Sequence, residues 1–265
     1  MSEDTLYHAA DGIATITFNR PQAANALHID QVPVILSFLR RAEDDPEVRC
    51  IVINGNGKHF MAGGDLSVLP ELMTMDATQR RWELEKPIHT YNLIIRNMRR
   101  MAKPIIASVQ GAVAGAAVGL VAACDLSVTT RSSYYFLAHI LHGGSNDGMA
   151  TWFLPRQIGT RKTLEMALLA DRISGEEAQK LGFVNFVVED DKLAEETQAL
   201  AERLAKGPTA GYGLIKNLVY SSFGDTLEEH GRLEAETYAA SGMTEDWAEG
   251  INAFFEKRKP EFKGR

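Results

Sequence analysis

Two glycine-bearing turns hold the residues best suited to chemistry in this 265-residue chain. The first is His59-Phe-Met-Ala-Gly-Gly-Asp-Leu66, where Gly63 and Gly64 let the backbone turn sharply and present N–H groups. The second is Val109-Gln-Gly-Ala-Val-Ala-Gly-Ala-Ala-Val-Gly119, a strand that passes through glycines into a helix starting near Gly115. Its side chains are nearly absent, so another molecule can come close to the backbone. The helix start adds unpaired N–H groups at the positive end of the helix dipole. That combination suits an oxyanion or a phosphate. Each turn also has a plainer reading: in the first, Asp65 caps a short helix; in the second, small residues pack helices closely with no ligand. Taken together, two strand–turn units could hold one developing oxyanion from two sides. The second run lacks the GxGxxG spacing and the following acidic residue, which excludes a dinucleotide fingerprint.

The elements that position these turns follow from periodicity. Gly12 to Phe18 alternates, with Ile13, Thr15 and Thr17 on one face and Ala14, Ile16 and Phe18 on the other, as a strand does. Asp30 is expected to cap a helix running through Arg41, with Pro33 in its first turn. Arg49–Asn54 reads as a buried strand, Gln79–Met101 as a helix, Lys103–Val109 as a strand, and Gly111–Gly115 as a turn leading into a small-residue helix that ends at Cys124. Thr160–Ala170 reads as a helix, Ser174-Gly-Glu-Glu177 as a capping box, Gly182 as a helix stop, and Phe183–Val188 as a short strand. Beyond Asp190 the pattern is helical, broken at Gly207-Pro208, Gly224 and Gly242. Strand–helix alternation followed by helices predicts an α/β core with a helical assembly element.

Bulk properties narrow the classes. The net charge of −7 argues against a nucleic-acid partner. Cys50 and Cys124 sit in apolar runs and read as buried free thiols of a reducing compartment. No Cys or His spacing suggests a metal. The polar, acidic N-terminus does not look like a targeting peptide. The longest apolar stretch, Ala112–Cys124, is about 13 residues, too short to span a membrane. The expected location is cytoplasmic.

The runs around the two turns are similar to those of the crotonase, or enoyl-CoA hydratase/isomerase, superfamily over nearly the whole chain. They are Asn19-Arg-Pro-Gln-Ala-Ala-Asn-Ala-Leu27, Phe60-Met-Ala-Gly-Gly-Asp-Leu66, Lys103-Pro-Ile-Ile-Ala-Ser-Val-Gln-Gly111 with Ala114-Gly115, Cys124-Asp125, Leu154-Pro-Arg156 and Ala253-Phe-Phe-Glu-Lys-Arg258, in this order. The resemblance implies the α/β crotonase (ClpP/crotonase-like) fold, a spiral of ββα units. The core and its coenzyme A thioester site would span residues 1–200, and a helical trimerisation region 201–265. It implies an acyl-CoA substrate with no further cofactor, and a homotrimer or dimer of trimers. The family's two oxyanion N–H groups fall on Gly64 and Ala116. Ala62, Gly63, Asp65 and Leu66 would line the coenzyme A path, and Ala24 and Ala26 would flank its adenine or pantetheine. Lys58 and Lys257 are candidate phosphate partners. Phe254 matches an aromatic near the nucleotide end that a neighbouring subunit often supplies.

The resemblance also marks a departure. Family hydratases hold water with two glutamates, whose positions here are Gly119 and His139. Neither is a carboxylate, so ordinary hydration lacks its base pair. An acid remains nearby at Asp147, in His139-Ile-Leu-His-Gly-Gly-Ser-Asn-Asp-Gly148. The epoxide-opening and enoyl-CoA isomerases of the phenylacetate type are similar here, sharing this Asp, Thr151-Trp-Phe-Leu-Pro-Arg156 and Gly213-Leu-Ile-Lys216. The chain is therefore expected to be an acyl-CoA isomerase, moving a proton in a double-bond shift or an epoxide rearrangement, with Asp147 as acid and base. The alternatives are an enoyl-CoA hydratase, a thioester hydrolase or lyase using His139 with Asp147, and a silent coenzyme A-binding member. Asn92 and His139 stand where a dehalogenase of the superfamily has a base histidine and a tryptophan, which argues against dehalogenation. Trp82, Met98 and Phe136 are expected pocket walls.

Overall fold

A computed structural model describes residues 4–265. The chain opens with a hairpin that the reading above does not contain. Strand β1 (Thr5–Ala10) turns through Asp11 and Gly12, both at positive φ (52° and 79°), into antiparallel β2 (Ile13–Phe18). Asp-Gly between two extended runs is a two-residue hairpin signal, so this strand was legible. The chain continues with α1 (Gln31–Asp44), β3 (Cys50–Gly55), α2 (Leu69–Leu72), α3 (Ala77–Arg100), β4 (Ile105–Val109), β5 (Ala112–Ala114), α4 (Ala116–Ala123), β6 (Leu126–Thr130) and β7 (Tyr134–Phe136). Then follow α5 (Ala150–Gln157), α6 (Thr160–Leu169), β8 (Ile173–Ser174), α7 (Gly175–Lys180), β9 (Phe186–Val188), α8 (Leu193–Ala205), α9 (Thr209–Ser221), α10 (Leu227–Ser241) and α11 (Glu245–Glu256).

The main sheet has the order β1-β2-β3-β4-β6-β9, parallel from β2 onward. A smaller sheet, β5-β7-β8, lies beside it. The period-2 alternation sorts two cores. Ala14, Ile16, Phe18, Ile51, Ile53, Ile105, Ala107 and Val109 point to the large core under α1, α3 and α4. Ile13, Cys50, Val52, Ile106 and Val128 point to the other face, where Ala201 and Ala205 of α8 cover them. A sheet covered on both faces requires near-continuous apolar strands, which is why Cys50-Ile-Val-Ile53 lacks polar alternation. Both cysteines are buried free thiols, and burial pushes the Cys50 thiol up to about 12.

Three local expectations need correction. Asp30 already has helical backbone angles (φ −66°, ψ −17°) and its carboxylate caps nothing. Instead the Gln31 side-chain oxygen accepts the His28 N–H (2.9 Å). The Gly111–Gly115 turn contains β5, and only its flanking glycines take positive φ. Ser174 accepts the Glu177 N–H as a capping residue, but the Glu177 carboxylate pairs with Lys162 (2.9 Å) rather than reaching back. The helix breaks at Gly207-Pro208, Gly224 and Gly242 fall between α8, α9, α10 and α11 as expected.

Buried polar contacts tie the helical end to the sheet. Lys216 of α9 pairs with Asp125 (2.6 Å) and donates to the Lys103 carbonyl (2.9 Å). Asp125 also accepts the Ile105 N–H and the Tyr220 hydroxyl. Gly213 allows this approach, since a Cβ there would stand 2.6 Å from the Ala102 Cβ. Lys103 in turn donates to the carbonyls of Ala42, Glu43 and Asp45, closing the end of α1. Replacing Lys216 by Met would leave a nearly buried Asp125 carboxylate without its counter-charge. Losing one member of such a pair costs about 3–5 kcal/mol. Urea denaturation of Lys216→Met should show a loss of that order, while a loss below about 1 kcal/mol would show that the ion pair does not hold α9 in place.

Candidate active site

Backbone pairing builds the site. In the segment before α1, Asn25 takes positive φ (56°), which its side chain tolerates. Its amide donates to the carbonyls of Asn56 (2.9 Å) and His59 (2.7 Å), and its oxygen accepts the Arg20 N–H. This clamp lays residues 24–27 along residues 62–65. Ala62 donates to the Ala24 carbonyl (3.0 Å), Leu27 to that of Gly63 (2.8 Å) and Asp65 to that of Leu27 (2.9 Å). The pairing skips the Gly64 N–H. On the other side, Phe60 donates to Gln110, Met61 to Ala112 and Ala114 to Met61. Gly115 then donates to Phe136 (3.1 Å) in β7.

The two glycine turns thereby touch. A Cβ on Gly63 would stand 2.9 Å from the Ala114 carbonyl oxygen, and one on Gly115 would stand 3.8 Å from the Gly63 Cα. Gly115 holds φ 56° and ψ −126°, a conformation open to glycine. It leads into α4, whose first residue is Ala116. The Ala116 N–H is one of the first-turn donors that a helix cannot satisfy internally. A Cβ on Gly64, by contrast, would meet open space. The Gly64 and Ala116 N–H groups thus belong to two turns in contact, as an oxyanion hole requires.

Asp147 and His139 meet beside this pair. After β7 the chain makes a 3₁₀ turn (Ala138–His142), passes Gly143 at positive φ (74°), and folds back so that Gly144 donates to the His139 carbonyl (3.0 Å). His139 Nε2 lies 2.9 Å from Asp147 Oδ1, and Asn146 Nδ2 lies 2.9 Å from His139 Nδ1. The His139 ring lies over Gly115, with Cε1 3.4 Å from where a Cβ would be. Gly148 presses on Ala116, since a Cβ at Gly148 would stand 2.8 Å from the Ala116 Cα. The His139 side chain is 14% exposed and that of Asp147 28%, so both are shielded without being sealed from water. Asp147 Oδ2 has no hydrogen-bond partner among the described residues.

The packing at Gly119 leaves no room for a glutamate at that position. A Cβ there would overlap the Gly148 carbonyl oxygen and stand 3.0 Å from the Ala150 nitrogen. The backbone that carries Asp147 fills the place a longer side chain would need. Tyr91, which the sequence reading did not single out, braces the same corner: its hydroxyl donates to the Ala116 carbonyl (3.0 Å). Burial raises its pKa well above the phenol value, and the Asp147 charge adds to that. Tyr91, Ile94, Ile95 and Met98 are the buried face of α3, a helical spacing that could have flagged the tyrosine.

The remaining expected residues are more dispersed. Asp65 caps the turn at Leu66–Val68 by accepting the Ser67 N–H and pairs with Arg20 (2.8 Å). The Ser67 hydrogen bonds, then Arg20, hold its carboxyl at about 2. Arg20 also donates to the Ala26 carbonyl (2.7 Å), so Ala24 and Ala26 serve the frame through their backbones. Leu66 is 56% exposed, and Lys58 is exposed on the loop after β3. Phe254 and Lys257 are exposed, and their ring contact and hydrogen bonds lie within the end of α11. Of the three expected pocket walls, Met98 is fully buried in the large core and Trp82 is 66% exposed. The half-buried Phe136 alone contacts the site, through its carbonyl. No group of three or more His, Cys, Asp or Glu among the described residues could hold a metal. No described helix is long and apolar enough to cross a membrane.

A family model described as enoyl-CoA hydratase/isomerase matches residues 8–265. The chain belongs to the enoyl-CoA hydratase/isomerase family. It is 34% identical to a 1,2-epoxyphenylacetyl-CoA isomerase of Escherichia coli over 100% of both chains. It is 32% identical to a trans-2-decenoyl-[acyl-carrier-protein] isomerase of Streptococcus mutans over 99% of both. The crystal structure of an enoyl-CoA hydratase from Polaromonas sp. JS666 superposes with a TM-score of 0.92 at 28% identity, covering 97% of this chain and 99% of that one. The fold is therefore the crotonase fold, and the family spans both isomerases and hydratases.

Two outcomes follow from the packing. Gly119→Glu should not create a hydratase: it should lower the melting temperature and abolish turnover of enoyl-CoA, whereas rapid hydration of 2-enoyl-CoA by the variant would contradict the steric reading. Asp65 stabilises the folded state fully above the ordinary carboxylate pKa of about 4, and that contribution is lost as pH falls towards about 2. The stability gap between the protein and Asp65→Asn, measured in urea, should narrow between about pH 5 and pH 3; a constant gap would disprove the coupling.

Proposed function

We propose that this family member is an acyl-CoA isomerase that shifts a double bond with one carboxylate, Asp147, as both base and acid. The observation that supports the reading is the Asp147–Gly148 turn: its Gly148 backbone packs on Ala116 and fills the space over Gly119, and its one carboxylate is held by His139, whose ring lies on Gly115. Hydration by the family's two-glutamate route needs two acid–base groups held on a water. A proton shift along one face of a substrate needs one.

The reaction runs in two steps. A 3-enoyl thioester places its carbonyl oxygen between the Gly64 and Ala116 N–H groups. Asp147 Oδ2 removes a proton from the α carbon, and the electrons move onto the thioester oxygen as a dienolate. Each N–H is worth about 3–4 kcal/mol as that charge develops. The protonated Asp147 then returns its proton to the γ carbon, the double bond moves to the 2,3 position, and the carboxylate is restored. The only other group needed is the substrate's own coenzyme A. Residues 62–66, with Ala24 and Ala26, supply its path, and Lys58 and Lys257 lie on the surface for its phosphates.

His139 orients the base rather than replacing it. Both of its ring nitrogens are engaged, Nε2 by Asp147 and Nδ1 by Asn146, so neither faces a substrate. This disfavours a hydrolase or lyase in which His139 attacks or activates water. The C-terminal helices expose Leu227, Tyr238, Met243, Phe254 and Phe255, each at least 73% accessible. Apolar groups so exposed favour assembly with further copies of this chain, in a trimer or a dimer of trimers, which would also give Phe254 a neighbouring subunit's nucleotide site to cover.

Isomerisation of 3-enoyl-CoA to 2-enoyl-CoA, followed spectrophotometrically, should lose about 10²- to 10⁴-fold in kcat in Asp147→Asn. Hydration of 2-enoyl-CoA should be slow in both proteins. Hydration faster than isomerisation, or isomerisation indifferent to Asp147, would overturn the reading.

A further inference from the structure

The loop between β7 and α5 brings two consecutive residues to opposite nitrogens of one imidazole. Asn146 Nδ2 is 2.9 Å from His139 Nδ1, and Asp147 Oδ1 is 2.9 Å from His139 Nε2. An amide nitrogen can only donate, so this orientation of Asn146 calls for a lone pair on His139 Nδ1. In that tautomer the ring proton resides on Nε2 and is donated to Asp147 Oδ1. A second proton on Nδ1 would set N–H against N–H. The ring has little freedom to escape this arrangement: its side chain is 14% exposed, it rests on Gly115, and its backbone carbonyl accepts the Gly144 N–H.

We infer that Asn146 is a positioning residue that sets the tautomer of His139 and thereby the direction of Asp147. The inference rests on the isomerase reading above for its consequence in catalysis, but its geometry is independent of the substrate. With Nε2–H fixed on Oδ1, the carboxylate cannot rotate freely, and Oδ2 stays turned to the reacting carbon. With Nδ1 occupied by a donor, His139 does not take up the proton that Asp147 removes. That proton stays on Asp147 for return to the substrate. Nothing in the loop pattern signals this role, because Ser145-Asn146-Asp147-Gly148 reads as an ordinary turn. Only the fold-back at Gly143 and Gly144 places Asn146 at the imidazole.

Imidazole ¹⁵N NMR tests this directly on the intact protein. His139, assigned by comparison with His139→Gln, should be the neutral Nε2–H form at neutral pH. In Asn146→Ala the Nδ1–H form should become populated, and in Asn146→Asp, where only acceptors remain, Nδ1 should become protonated. In Asn146→Ala, kcat for 3-enoyl-CoA isomerisation should fall about 10- to 100-fold with KM changed less than about threefold, as expected for a misdirected base. A wild-type His139 carrying its proton on Nδ1 would overturn the inference whatever the Asn146 variants do. An unchanged tautomer in a folded Asn146→Ala protein would do the same, as would equal loss of kcat/KM through KM alone. Isomerisation that survives Asp147→Asn would instead reject Asp147 as the base of the proposed reaction, and the NMR result would still decide the role of Asn146.

Discussion

The Gly63 and Gly115 turns approach so closely that a Cβ on Gly63 would stand 2.9 Å from the Ala114 carbonyl oxygen. Two peptide segments at this distance leave room for backbone alone. The restriction brings Gly64 and Ala116 onto adjoining turns, each with an N–H outside the pairing that holds its neighbours. Much of the surrounding structure serves that approach. Asn25 pins the segment that pairs with residues 62–65, Phe60 and Met61 pair with the strand leading to Gly115, and Phe136 accepts the Gly115 N–H. Tyr91 holds the carbonyl of Ala116 from beneath. Preorganised donors of this kind need no rearrangement as charge develops on a substrate.

Several residues in the most distinctive motifs serve as fasteners rather than reagents. Lys103 closes α1, Asp125 and Lys216 form a buried pair between sheet and α9, and Asp65 and Arg20 brace the first turn. A charged residue in such a motif reads equally well as a ligand contact, and its distinction from a strut depends on partners far away in sequence. Lys216 and Asp125 illustrate this: 91 positions separate them, and no local pattern joins them.

The legible parts were those governed by local periodicity or by backbone chemistry. The alternation in β2 assigned each side chain to its proper face, and the glycine breaks divided the C-terminal helices. The two glycine turns announced their N–H groups through the absence of side chains. The cap of α1 differs from the expectation because the Gln31 and Val32 N–H groups already donate to the His28 and Ile29 carbonyls, and Pro33 has no N–H to offer Asp30. The missing glutamate at Gly119 was visible as an absence, but the carbonyl of Gly148 that fills the space is a tertiary contact. The Asn146–His139–Asp147 chain was half visible. His139 and Asp147 stood out as titratable groups in one loop, while Asn146 had no periodicity or charge to mark it.

A single carboxylate acting on one face carries the same proton from the α carbon to the γ carbon, and that can be followed directly. A 3-enoyl-CoA deuterated at the α carbon should give a 2-enoyl-CoA in which a substantial share of the label reappears at the γ carbon, with little oxygen-18 taken up from labelled water. Complete washout of the deuterium into solvent, together with oxygen incorporation into the acyl chain, would contradict a one-base shift and point to water as the reacting partner.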